Sequence, residues 1–168
     1  MKPIYVNNAE YSALPVVPTA LKQYIEQITC CDILPEVKEI EEVFFTFTDY
    51  VEHNPPPAGA FTTIIYTFDG KCSFEMVSKI PGVTTKIIFL NMFEIRSEQH
   101  TQTYVDSTVW PVLLEELFHS LYNIQDEYEV KAHTVQVLKQ HWPEATFDTL
   151  YQTIQGPDGV PVYVLSCQ

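Results

Sequence analysis

The sequence predicts a single α+β domain over residues 1–168. A helical pattern comes first, several strand patterns follow, and the C-terminal half is helical, an order that favours an α+β arrangement. The chain is long enough for one domain with a hydrophobic core. Its 46% of hydrophobic and 13% of aromatic residues exclude a disordered chain.

The N-terminal third combines two strand patterns with one helical pattern. Residues 3–6 are expected to form a short first strand. Apolar residues recur at helical spacing over residues 19–28 and predict an amphipathic helix. Residues 36–42 are rich in acids and lead into residues 43–51, whose aromatic and β-branched side chains predict a strand.

The middle of the chain predicts a hairpin and a long apolar strand. Residues 53–59 contain three consecutive prolines and are expected to form a loop, because proline cannot donate to a strand ladder. A strand is expected over residues 61–68, and Asp69-Gly70 predicts a tight turn into its hairpin partner at residues 71–80. Residues 84–93 are apolar enough to predict a central strand.

The C-terminal half predicts helices and a final strand. Residues 96–106 are polar and are expected to form an exposed loop. The elements expected after it are a helix from Ser107 or Thr108 to about residue 124, helices over residues 125–142 and 144–154, a turn at residues 156–159 and a strand at 160–165.

Composition limits the partners of the chain. A formal net charge of −13, from 22 acidic and 9 basic residues, argues against nucleic acid, because phosphate contacts need lysine and arginine. It favours a protein or peptide partner with a basic surface. No apolar run approaches the roughly 18 residues of a membrane span, and the N-terminus has no signal-peptide core. We therefore expect no membrane partner and a cytoplasmic location. The four cysteines form no C-x-x-C pair, which predicts neither a disulfide framework nor a cysteine zinc site.

The motif Glu115-Glu116-x-x-His119 is the strongest chemical feature of the sequence. Positions four apart lie on one face of a helix, so Glu115 and His119 are placed to reach one metal ion. Glu116 is offset by about 100° and would face a metal-bound water as a general base. A third ligand is expected from the following helix, where Glu129 and Glu127 are available and Asp126 is a weaker candidate.

Residues 84–140 resemble the small single-domain zincin metallopeptidases, in which a strand precedes the active helix and a second helix follows it. The resemblance implies a mixed, mostly antiparallel sheet whose edge hairpin binds substrate, with two or three helices after it. It also implies that Glu116 is the catalytic base, His119 the second metal ligand and Glu129 the third.

The sequence departs from that family at its first ligand, because Glu115 stands where the His-Glu-x-x-His motif has histidine. A set of Glu115, His119 and Glu129 is harder than two histidines and a glutamate, and suits manganese as well as zinc. Two carboxylates also neutralise the charge of the ion and make it less electrophilic. This degenerate motif favours a pseudoenzyme over an ordinary zinc peptidase.

Two functions and one plain structural interpretation follow from these patterns. The first function is a metal-dependent peptidase with an altered site. The second is a non-catalytic acidic interaction or inhibitor protein that binds a basic partner protein. In the plain structural interpretation, the helix has no site, and its solvent-facing side simply carries Glu115, Glu116 and His119. Its other side is a buried apolar stripe made of Leu113, Leu114, Leu117, Phe118 and Leu121.

Overall fold

The computed structural model of the chain describes residues 4–5, 15–30, 36–57, 62–68, 85–92, 95 and 108–166. Its strands are β1 (Ile4–Tyr5), β2 (Ile25–Cys30), β3 (Thr62–Phe68), β4 (Thr85–Asn91), β5 (Tyr151–Gln155) and β6 (Pro161–Leu165). Its α-helices are α1 (Val37–His53), α2 (Val109–Leu121), α3 (Glu127–Leu138) and α4 (Phe147–Leu150), and a 3-10 turn covers Thr19–Leu21. The expected mixture of helices and strands is therefore confirmed.

The main sheet has the order β1-β2-β3-β4, and each of its pairs is parallel. The prediction of a mostly antiparallel sheet is therefore wrong for these described strands, while the predicted hairpin partner at residues 71–80 lies outside the described residues. In the described sheet, β3 lies between β2 and β4. Within the described chain β4 pairs only with β3 and lies at the edge of the described sheet, and its predicted central place stays a prediction.

The direction of the sheet follows from its connections. Parallel neighbours need long crossovers, and α1 lies in the connection between β2 and β3. The predicted Asp69-Gly70 turn lies outside the described residues. The apolar, β-branched composition of β3 and β4 is itself typical of parallel strands, where both faces are covered.

Residues 43–51 lie in α1, so the strand predicted there is wrong. The spacing of the buried residues is that of a helix, with Ile40, Val43, Phe44, Phe47 and Val51 all facing the core. Phe45, two positions before Phe47, is 59% exposed, whereas a strand would place both on one face. Helical periodicity therefore outweighs the β propensity of the aromatic residues, and the acidic segment forms the first turns of the helix.

Two predicted helices are largely replaced by strands. Only residues 19–21 of the predicted helix at 19–28 are helical, as a 3-10 turn, and β2 follows because its residues join the ladder of β3. The predicted helix at 144–154 shrinks to α4, which Thr146 caps, and then becomes β5. Pairing with a neighbouring strand decides the local structure in both cases: the partner of β2 is remote in sequence, whereas β5 pairs with β6 across the short turn that follows it.

The remaining C-terminal elements agree with the sequence. Helices α2 and α3 are confirmed, and Asp126 caps α3 by accepting the backbone N–H of Glu129 at 2.8 Å. The turn before β6 is confirmed, with Gly159 at a φ of 75° that favours glycine. The strand β1, the final strand and the irregular backbone of residues 54–57 also agree, while residues 96–106 lie outside the described ones.

Helix α2 lies at the centre of the described structure and packs against α1, α3, β3 and β4. Its Phe118 ring meets Phe47 edge-on, with 5.3 Å between centroids, and Tyr50 at 5.1 Å. The Glu-Glu-x-x-His helix is therefore part of the core. None of the described helices is both long and apolar enough to cross a membrane.

The two phenylalanines on opposite sides of α1 provide a test of its helical form. We expect Phe47→Ala to lower the free energy of unfolding by about 3–4 kcal/mol, because the ring is fully buried and leaves a cavity. Phe45→Ala should change it by less than about 0.5 kcal/mol. Urea denaturation of both variants is the measurement, and equal losses would favour the strand.

Candidate functional site

The four predicted site residues lie on two adjacent helices. Helix α2 carries Glu115, Glu116 and His119, and all three are partly buried. Glu129 is exposed near the beginning of α3. The apolar residues of α2 fill the core, while Glu115 and His119 contact residues of α3 and β5 along the border between these elements. This border is the candidate functional site.

Glu115 uses both carboxylate oxygens inside the chain. Oε2 accepts a hydrogen bond from Nζ of Lys131 at 2.9 Å, and Oε1 accepts one from the hydroxyl of Tyr151 at 2.5 Å. The side chains of Glu115 and Lys131 are only 16% and 7% exposed. A charge-assisted bond at this depth is screened little by water, so the pair is a strong local constraint.

Lys131 is the cation of the site. Nζ also donates to Oε2 of Glu127 at 2.9 Å, one turn earlier on α3, and lies 5.4 Å from the centroid of the Tyr151 ring. Burial by itself lowers the pKa of Lys131, but the attraction of Glu115 and the hydrogen bonds to Glu115 and Glu127 raise it above the usual 10.5. The ammonium therefore stays charged at neutral pH.

His119 joins the same group through Glu127. Its Nδ1 donates to the backbone oxygen of Ile124 at 2.8 Å, because a carbonyl can only accept, and its Nε2 lies 3.3 Å from Oε1 of Glu127. Glu127 thus contacts both His119 and Lys131. The structure brings together Glu115, Glu127 and His119, with the Lys131 ammonium between the two carboxylates.

Glu129 faces a different neighbour. Its Oε1 lies 3.9 Å from Nε2 of His133, one turn later on α3, and its side chain is 58% exposed. Among the residues that the structure describes, no three His, Cys, Asp or Glu side chains are placed to hold a metal ion. As arranged, the side chains do not fit zinc or manganese, because an ammonium already neutralises Glu115. The ligand and base roles of Glu115, Glu116, His119 and Glu129 stay predictions.

Sequence reasoning missed Lys131 and Tyr151. The spacing of Glu127 and Lys131, four residues apart with the acid first, is a favourable helical pair and was visible in the sequence. Tyr151 could not be found in the same way, because the helix expected over residues 144–154 hides the strand that carries it. Comparison of the chain with protein-family models, curated proteins and solved structures gives no significant match.

Removing the Lys131 ammonium tests the ion pair. We expect Lys131→Met to lower the free energy of unfolding by about 3 kcal/mol, the lower end for breaking a buried pair because Glu127 is exposed. The double variant Lys131→Met/Glu115→Gln should recover about half of the loss, since glutamine carries no charge and still accepts from Tyr151.

Lys139→Met is the matched control for this experiment, because Lys139 is exposed at the end of α3. Its effect should stay within about 0.5 kcal/mol in the same urea titrations. Equal losses for Lys131→Met and Lys139→Met would show that the ion pair contributes nothing to stability.

Alkaline pH tests the tyrosine that completes the site. Burial, and then the charge of Glu115, raise the pKa of Tyr151 well above 10.0. Above pH 10 the unfolded chain loses this proton while the folded chain keeps it, so stability present at lower pH is lost as pH rises. We expect the slope of unfolding free energy against pH, between about 10 and 11.5, to be less steep in Tyr151→Phe. Parallel curves for the wild type and Tyr151→Phe would contradict the assignment.

Proposed function

We propose that this chain is a non-catalytic interaction protein that binds a partner with a basic surface. The observation that carries the proposal is that both oxygens of the Glu115 carboxylate accept hydrogen bonds, one from Lys131 and one from Tyr151. A carboxylate with both oxygens engaged by donors of its own chain is poorly suited to ligate a metal. The Glu-Glu-x-x-His motif then serves the packing of α2 on α3.

The acidic surface supplies the binding chemistry in this proposal. Residues 108–166 contain eight acids and two lysines, and one of those lysines is the buried Lys131. Six of the acids are exposed: Asp126, Glu127, Glu129, Glu144, Asp148 and Asp158. Charges of one sign on one part of a surface attract a partner of the opposite sign and raise its association rate. A cytoplasmic protein or peptide rich in lysine and arginine is the partner we infer.

The altered zincin peptidase is the second candidate. It is favoured by the contacts that draw Glu115, Glu127 and His119 around one cationic position. In this alternative a divalent ion would displace Lys131, with Glu127 or Glu129 as the third ligand and Glu116 as the base. Elemental analysis separates the two proposals. We expect less than about a tenth of an equivalent of zinc or manganese, whereas a full equivalent that His119→Ala removes would overturn the non-catalytic proposal.

Salt dependence tests the acidic surface. We expect a fluorescent octalysine peptide to bind in 50 mM salt and to weaken at least about tenfold in 300 mM salt, because screening shortens the range of the attraction. The triple variant Glu144→Gln/Asp148→Asn/Asp158→Asn should bind this probe at least about threefold more weakly at low salt.

The control for this variant removes the same number of charges from α1, as Glu42→Gln/Asp49→Asn/Glu52→Gln, all at exposed positions. It should lower the affinity for octalysine less than the C-terminal variant does. Fluorescence anisotropy reports both. Binding that is absent at 50 mM salt, or unaffected by salt, would contradict the proposed function.

A further inference from the structure

The two-stranded sheet formed by β5 and β6 has two different faces. Residues opposite one another, and residues two apart, share a face of a sheet. The pairs Tyr151–Leu165 and Thr153–Tyr163 therefore lie on one face. The pairs Ile154–Val162 and Gln152–Val164 lie on the other, which we call the open face.

The first face is covered by aromatic side chains of the helices. Tyr163 lies 5.7 Å from Tyr128 of α3 and 5.5 Å from Phe147 of α4, measured between ring centroids. Phe147 also lies 5.2 Å from Tyr151. The hydroxyl of Tyr151 is held by Glu115. These contacts fix the hairpin to the body of the protein with one defined side outward.

The open face is apolar and accessible. Ile154, Val162 and Val164 are 43%, 40% and 37% exposed, although β-branched residues on a strand usually pack against something. Neither β5 nor β6 contains a charged residue, while free strand edges are usually protected by lysine or other charges. In the described part of the chain, no third strand pairs with either of them.

Charge identifies the kind of partner that fits this face. From residue 140 to residue 168 the sequence has three acids and neither lysine nor arginine. Asp158 lies in the turn of the hairpin, and Asp148 lies in α4 beside Phe147. A second copy of the chain is disfavoured, because two molecules of net charge −13 repel each other.

We propose that the hairpin is a docking site for an extended basic segment, which adds a strand to its edge and places alternate β-branched side chains on the open face. Backbone hydrogen bonds would supply affinity and the alternate side chains would supply specificity, as in other cases of strand addition. Lysine or arginine at the intervening positions meets the acids around the hairpin. This inference rests on the proposed function and assigns its surface.

Two peptide probes distinguish binding at the hairpin from general attraction to the acidic surface. The first is a labelled octapeptide with alternating lysine and valine, and the second is octalysine. We expect Ile154→Thr/Val162→Thr to weaken binding of the lysine-valine peptide about tenfold, because apolar contact is lost, and to leave octalysine binding unchanged. Threonine keeps β propensity, so the hairpin should stay folded, which circular dichroism checks.

The matched control is Val16→Thr, since Val16 is 59% exposed and lies outside the hairpin. It should leave the affinity for both peptides unchanged. If octalysine binds but Ile154→Thr/Val162→Thr does not weaken the lysine-valine peptide, the docking site is overturned and the proposed function stands. If neither peptide binds at 50 mM salt, both are overturned. A concentration-dependent dimer that the double variant abolishes would assign the open face to a second copy and overturn the basic segment.

Discussion

The buried ion pair between Glu115 and Lys131 is the interaction on which the described C-terminal structure depends. It joins α2 to α3, and through the hydroxyl of Tyr151 it also joins both helices to β5. A charge at this depth is costly to bury alone, so each partner requires the other. The pair therefore fixes how α2, α3 and β5 pack against one another.

The same pair connects the fold to the function that we propose. Because Lys131 supplies the positive charge that Glu115 needs, the Glu-Glu-x-x-His helix needs no metal to be electrostatically satisfied. Six exposed acids of residues 108–166 set the charge of that part of the surface. Tyr151, held at one end by Glu115, begins the hairpin whose open face then lies outward. In this proposal, the contacts of Lys131 stabilise the fold, and the exposed acids bind the partner.

The parts of the fold that the sequence predicts are those governed by local chemistry. Helix α2 has a clear apolar stripe, and acids at residues 126–127 mark the start of α3, so both were predicted. Helix α1 was missed because its phenylalanines favour a strand by composition, although their spacing is helical. The parallel sheet depends on contacts between strands far apart in the chain, which no local pattern contains, whereas β5 depends on its pairing with β6 across a short turn. The site divides in the same way: Glu115 and His119 were placed correctly on one helix, whereas Tyr151, which donates to Glu115, lies 36 residues beyond it.

The NMR signal of the Lys131 ammonium tests most directly whether Lys131, and not a metal ion, neutralises Glu115. In protein labelled with ¹⁵N at the lysine side chains, a buried, doubly hydrogen-bonded ammonium should give a slowly exchanging resonance, absent in Lys131→Met. We expect this resonance to persist unchanged when one equivalent of zinc is added at neutral pH. Its loss on addition of zinc, together with a shift of the His119 ring signals, would show that a metal displaces the ammonium and would contradict the account.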